Sequence, residues 1–315
     1  MRETKGTLDP SQMIHGIDSD RKRTILKVQT KALNAMITEL VRKGFDWILP
    51  VTLAKSTDPL WPDPGASIEK RIEIDIYDET VRTMQSMIVH KLVLSSLGPE
   101  KFFIISPNIR IETRKRATSG WHLYEFTQLE TEISGAKMED VFRLYEDLVK
   151  SAICAVEDEV SKLRKTKLRI PTTPFKVHSR KDLEQKYGKD WEQLASEKES
   201  DPFWLTDIPR EFYDFQDEAT GAWRNYDLFM PEGYGEVLSG AEREFEYSKI
   251  VKKIERDGVK KDDYAFLLNL AKDGRLKPCA GAGLGLERFI AYLCGVDHVA
   301  DVQPFPRIPG MVPPL

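Results

Sequence analysis

The sequence predicts an α+β fold in which an antiparallel sheet is flanked by helices. Residues 104–133, IISPNIRIETRKRATSGWHLYEFTQLETEI, read as two strands joined by a basic loop. Residues 279–288, CAGAGLGLER, read as a glycine-rich strand running into an apolar helix. Residues 19–44 and 137–165 repeat their apolar positions at helical spacing, which supplies long helices to cover a sheet.

At 315 residues the chain can bury one large core, and no Ser/Gly/Pro-rich linker divides it. We therefore expect a single domain, 1–315, with residues 1–18 as a loose arm. The formal net charge of −4 lacks the basic bias of sequence-independent nucleic-acid binding, which argues against tRNA as a partner. Three cysteines, Cys154, Cys279 and Cys294, show no C-x-x-C spacing, so we expect buried apolar packing in a reducing compartment and no zinc site. No stretch is long and apolar enough for a leader or a span, so the expectation is a cytoplasmic protein with no membrane partner.

In chain order, Ser19 is the expected N-cap of a helix whose apolar positions Ile25, Val28, Leu33, Met36, Ile37 and Leu40 lead to a stop at Gly44. Residues 45–53 read as a strand. Residues 55–65, KSTDPLWPDPG, crowd three prolines around Trp61 as a lid or a plain connector. Residues 71–77 alternate as a strand, and 80–97 read as a helix ended by Gly98. Residues 182–196 add one or two helices with no visible chemistry, and His178 reads as a surface residue. Residues 226–229 and 236–240 pair as strands, and 254–277 form a charged helical pair.

The chemistry concentrates in the first of these features. On the second strand of 104–133, Phe126, Gln128, Glu130 and Glu132 share one face, against Glu125, Thr127, Leu129 and Thr131 on the other. A strand that only closed a core would keep one side apolar. Arg110 and Glu112 sit two apart on the first strand. Between the strands, Arg114, Lys115, Arg116 and His122 make a mobile cationic cover suited to polyphosphate, or a solvated hairpin tip. Glycines at 279–285 allow backbone to approach a ligand, and the following helix start favours anions.

Together, Arg110-x-Glu112 returning through Glu125-Phe-Thr-Gln128, and Gly283-x-Gly285-x-Glu287-Arg288, resemble the second and third signatures of the class II aminoacyl-tRNA synthetases. The ending PFPRIPG at 304–310 resembles the aspartyl/asparaginyl subgroup. The resemblance implies the class II antiparallel sheet flanked by helices, a homodimer built on residues 20–53, and ATP used with Mg2+. By the same resemblance, Arg110 would hold the α-phosphate as a catalytic residue. Arg116 and His122 would meet the outer phosphates, with Glu112 and Gly285 beside the ATP. Arg288, also catalytic, would lie over the adenine and near the γ-phosphate, with Phe126 stacked on the base from the other side. Asp227 and Glu236 would hold magnesium. Arg243, seven residues past Glu236, would clamp a carboxylate, and Ser86, Gln128, Glu130 and Gly240 would line the amino-acid site. Asp58 would touch the substrate ammonium, and Lys91 in Gln85-Ser86-x-x-x-x-Lys91 would take the free carboxylate of aspartate.

Three positions depart from the family's pattern. Trp121 stands where relatives carry Arg, Ile88 where they carry Gln, and Glu130 where they carry Asp. Losing Gln at 88 fits a reversed aspartate whose β-carboxylate faces ATP. Full-length relatives carry an anticodon barrel before the core, for which this chain leaves no room. Such chains occur as archaeal asparagine synthetases, so the leading expectation is an AMP-forming aspartate–ammonia ligase with ATP, aspartate and ammonia as partners. The alternatives are a standalone aspartate-activating or tRNA-aminoacylating core, and an amino-acid-sensing paralogue.

Overall fold

The computed structural model describes residues 9–60 and 68–315. Its strands are β1 (Asp46–Trp47), β2 (Leu53–Ala54), β3 (Ile68–Lys70), β4 (Glu73–Ile76), β5 (Glu79–Thr83), β6 (Lys101–Ile109), β7 (Ile111–Glu112), β8 (Glu125–Ser134), β9 (Lys176–Ser179), β10 (Phe203–Thr206), β11 (Asn225–Met230), β12 (Gly235–Glu242) and β13 (Cys279–Gly285). Eight of them form one sheet in the order β1-β6-β8-β13-β12-β11-β10-β9. Its centre is antiparallel, and only the outermost pairs, β1 with β6 and β9 with β10, are parallel. Beside it stand the small sheets β2-β5-β4 and β3-β7.

One face of the large sheet is sealed by the helices Asp20–Arg42, Met138–Ala155 and Leu286–Cys294. Val28, Met36, Leu40, Val141, Leu148 and Phe289 from these helices pack in one core with Leu129 of β8 and Leu284 of β13. Each such buried side chain contributes roughly 1.5–3 kcal/mol. The first helix is set by its cap, since the Ser19 hydroxyl accepts from Lys22 N–H at 3.2 Å. It ends before Gly44, whose φ of +78° only glycine adopts freely. Because side chains alternate, putting Leu129 and Thr131 on the helix side sends Gln128, Glu130 and Glu132 to the opposite face. There the helix Ile88–Leu97 covers part of the sheet and leaves the rest open as a cavity.

Several local expectations are corrected. Residues 80–83 are not helical: Thr80, Val81 and Thr83 belong to β5, which turns back on β4 through Tyr77 and Asp78, both at positive φ. β-branched residues favour the strand once a partner is available. Gln85 and Ser86 therefore precede the helix, and the Ser86 hydroxyl accepts from Ile88 N–H at 3.3 Å. The strand expected over 45–53 shrinks to β1, and the helix expected to reach 165 breaks at Val156. Of the arm expected to be loose over 1–18, residues 1–8 lie outside the described residues, and Pro10–His15 form a helix capped by Asp9. Trp61 and the prolines at 62 and 64 lie outside the described residues. Cys154 is exposed, while Cys279 and Cys294 are buried. Among the described residues no helix is long and apolar enough to cross a membrane.

The close packing of β8, β13 and β12 depends on glycine. A Cβ at Gly281 would lie 2.6 Å from Glu132 Cδ and nearer still to the Thr131 carbonyl. Gly281→Ala is expected to lower stability by about 1–3 kcal/mol, as for overpacked cores. Gly16→Ala, where a Cβ meets nothing within 4 Å, should change it by less than about 0.5 kcal/mol. Urea midpoints of the two variants check this; equal midpoints would mean that close packing at Gly281 does not limit stability.

Candidate active site

Residues singled out from the sequence converge. Of those given a site role by the family resemblance, all but one line a single cavity of about 420 Å³, from Asp58 and Ser86 through Arg110 and Phe126 to Arg243 and Arg288. Asp227 is the exception and lies behind Arg210. Phe126, Gln128 and Glu130 occupy alternate positions of β8 along the cavity floor, and Glu132 continues the row beneath Lys91 and Arg243. At roughly 3.4 Å per residue they span about 20 Å, so the site has two distinct ends.

At the Phe126 end, the Arg110 guanidinium lies 5.2 Å from the ring centroid, its Nε donating to the Gln85 carbonyl at 3.0 Å. An Arg110 amino group stands 3.8 Å from Asp58. Arg288 is tethered by two carbonyls, Trp121 at 3.2 Å and Glu236 at 3.0 Å, with the Glu236 carboxylate at 3.8 Å. The expected cationic cover is different in kind. Residues Arg114–Thr118 form a 3-10 turn, and Arg116 is paired with Glu112 at 2.7 Å. Burial raises the Glu112 carboxyl against the pull of Arg116 and Arg110. His122 is not cationic: burial, then the charges of Arg288, Arg116 and Arg110, push its imidazolium down to about 3. Its Nδ1 lies 2.7 Å from the Ser119 hydroxyl.

At the other end, charges are buried and matched. Lys91, 2% exposed, stands 3.1 Å from Glu130 and 3.3 Å from Glu132. Arg243 donates to Glu132 at 3.1 Å, to Asp214 at 3.2 Å and to the Gly281 carbonyl at 3.0 Å. Burial raises the Glu132 carboxyl, but the charges of Arg243 and Lys91 outweigh it and hold it below its usual range. Lys91 and Arg243, expected to meet a substrate carboxylate, thus also have internal carboxylate partners. Glu130 also accepts from Ser106 at 2.7 Å and from Met87 N–H at 3.1 Å. Gln128 accepts from Asn108 at 2.9 Å. Gly240 is required, because a Cβ there would come within 2.6 Å of the Gly281 carbonyl.

Sequence reasoning assigned no site role to the residues after β10. Arg210, Glu211, Tyr213 and Asp214 all line the cavity. Arg210 binds Asp227 and Ser239 in short contacts. Burial, then the charges of Asp58 and Asp214, raise the Glu211 carboxyl well above its usual range. The available signal was Arg210-Glu211 and Asp214 inside an otherwise aromatic run. Asp227, expected as a magnesium ligand, keeps Oδ1 buried and without a hydrogen-bond partner. Burial, followed by the Glu236 charge, pushes its carboxyl up to about 7 although Arg210 pulls it down.

Residues 10–309 match the family model described as tRNA synthetases class II (D, K and N). The asparagine–tRNA ligase of Pyrococcus abyssi is 27% identical over 95% of this chain and 71% of its own length. That of Thermococcus gammatolerans is 28% identical over 94% and 71%. The asparaginyl-tRNA synthetase of Pyrococcus horikoshii, solved with asparaginyl-adenylate, superposes with a TM-score of 0.85 at 25% identity, covering 97% of this chain and 73% of that one. These relatives are tRNA ligases, not asparagine synthetases, and they overturn the expectation that tRNA is no partner. Net charge was a poor guide, because it averages over the whole surface and says nothing of one face. With the match spanning nearly the whole chain, the protein belongs to the class II tRNA synthetases of the D, K and N group.

Proposed function

We propose that the chain activates aspartate or asparagine as an acyl-adenylate and passes the acyl group to tRNA. Membership of the family makes it an ATP-dependent, AMP-forming ligase. The observation that carries the substrate class is the two-ended cavity, with Arg110, Phe126 and Arg288 at one end and Lys91, Arg243 and Glu130 at the other. A substrate carboxylate oxygen attacks the α-phosphorus, the bond to the outer phosphates breaks, and pyrophosphate leaves. An acceptor oxygen then attacks the acyl carbon, its proton passes to solvent, and AMP departs. No protein nucleophile is needed, since positioning and charge neutralisation carry phosphoryl chemistry.

On this reading Arg110 and Arg288 hold phosphates, and Phe126 offers its free face to the base. Arg243, fixed by Glu132 and Asp214, presents its planar fork to the amino acid. Magnesium would be held by Asp227 and Glu236, whose oxygen donors suit a hard cation, and the partnerless Oδ1 of Asp227 fits that role. When bound, the ion supplies charge neutralisation on the phosphates.

A second reading is favoured by where an ammonium could sit. The side chain at 88 is an apolar isoleucine, whereas Asp58, Glu211 and Asp214 crowd their charges on another wall. An ammonium there would place the α-carboxylate on Arg243 and turn the β-carboxylate of aspartate toward ATP. Capture of that β-aspartyl-adenylate by ammonia would make asparagine.

Pyrophosphate exchange is expected only with aspartate or asparagine present. Arg243→Gln should lower it roughly 100-fold at subsaturating amino acid, the scale for truncating one partner of a buried charge pair. Exchange with neither amino acid would sink the adenylate reading. For the acceptor, tRNA charging with an α-linked amino acid is expected. Hydroxylamine added to the reaction with aspartate should trap an α-hydroxamate, whereas a β-hydroxamate together with asparagine made from ammonium would establish the second reading instead.

A further inference from the structure

Trp121 is the departure from the family's pattern that the proposed chemistry does not use. Its carbonyl accepts from Arg288 Nε at 3.2 Å, and its ring meets Tyr234 edge-on at 5.5 Å between centroids. Tyr234, 4% exposed, closes the turn between β11 and β12 and packs in turn on Tyr292 at 5.4 Å. Two residues beyond Tyr234, the Glu236 carbonyl accepts the other arm of Arg288 at 3.0 Å. Both tethers of Arg288 therefore hang from segments joined by one aromatic contact.

The turn that carries Trp121 is fixed from several sides. The Ser119 hydroxyl accepts from Trp121 N–H at 3.2 Å, the Gly120 carbonyl accepts from Val299 N–H at 2.9 Å, and Gly120 has a φ of +78°. Of these restraints only the indole reaches the β11–β12 turn. A guanidinium with two carbonyl acceptors at fixed separation has one plane, and loses that plane if the acceptors move apart.

We propose that Trp121 is a positioning residue that clamps the 119–123 turn to the β11–β12 turn and so holds Arg288 in a single orientation for ATP. The inference rests on the adenylate-forming reading only in taking ATP as the ligand of Arg288. An edge-to-face arrangement suits such a clamp, because the positive edge of one ring faces the negative face of the other and fixes their relative orientation.

The test is calorimetric titration of the full chain with ATP and Mg2+, needing no turnover. Trp121→Ala is expected to weaken ATP binding about tenfold while Trp121→Phe stays within threefold of the wild type. Tyr234→Leu should reproduce the loss from the other side of the contact, which keeps the test open should Trp121→Ala fail to fold. In an Arg288→Ala background, Trp121→Ala should add no further loss, because the residue acts through Arg288. Multiplying losses in that double variant, or a Trp121→Ala affinity within twofold of the wild type, would overturn the proposal. A wild-type chain that binds no ATP would instead bring down the functional reading on which it rests.

Discussion

The buried ion network at the inner end of the cavity is the interaction on which the site is built. Lys91, Glu130, Glu132, Arg243 and Asp214 are each 5% exposed or less and lie on four separate pieces of chain. They come from the helix Ile88–Leu97, from β8, from the segment after β12 and from the segment after β10. Removing charges from water costs several kcal/mol apiece, and attraction between them only offsets that, so such a network adds little net stability. Removing a single member, however, strands the others. Four elements are thereby held in one register, and the glycines at 240 and 281 are the steric condition for it.

The network accounts for the polarity of one face of β8, and a separate hydrogen bond accounts for polarity on the other. On one side Thr131 pairs with the buried Tyr145 hydroxyl at 3.1 Å, so the helix layer absorbs a polar group inside an apolar core. On the other side Glu130 and Glu132 meet Lys91 and Arg243. A sheet face that must carry a ligand cannot be closed by hydrophobic packing. Its order has to come from hydrogen bonds and ion pairs, which is what Ser106, Asn108 and Gln128 supply farther along.

Much of this was legible in the sequence. The β6–β8 pair stood out because a strand polar on both faces cannot simply close a core, and β13 because glycines ahead of a helix open the backbone to a ligand. The hairpin that makes Thr80–Thr83 a strand is hard to see in the sequence, since Tyr77-Asp78 lacks the glycine that usually marks a tight turn. The part played by Arg210, Glu211 and Asp214 was invisible, since a charge in a loop looks the same in sequence whether it faces solvent or a cavity. Lys91 lines the cavity, but its carboxylate partners were not legible, because pairing is set by which strands are neighbours. His122 was misjudged for a similar reason. A histidine beside arginines reads as more positive charge, whereas burial among guanidiniums keeps the ring neutral.

Every cation that lines the cavity has a carboxylate within 4.0 Å. Lys91 stands by Glu130, Arg110 by Asp58, Arg116 by Glu112, Arg210 by Asp227, Arg243 by Asp214 and Arg288 by Glu236. Six like charges in so small a space would otherwise repel, and partly buried positions screen such repulsion poorly. Pairing thus lets the cations be assembled before a polyanion arrives. It also sets what must happen on arrival. Each guanidinium that turns to a phosphate leaves a carboxylate behind, and that carboxylate needs a new cation. On the proposed reading two of these are at hand: a divalent ion for Asp227 and Glu236, and the substrate ammonium for Asp58. ATP, metal and amino acid then stabilise one another's binding through exchanged partners.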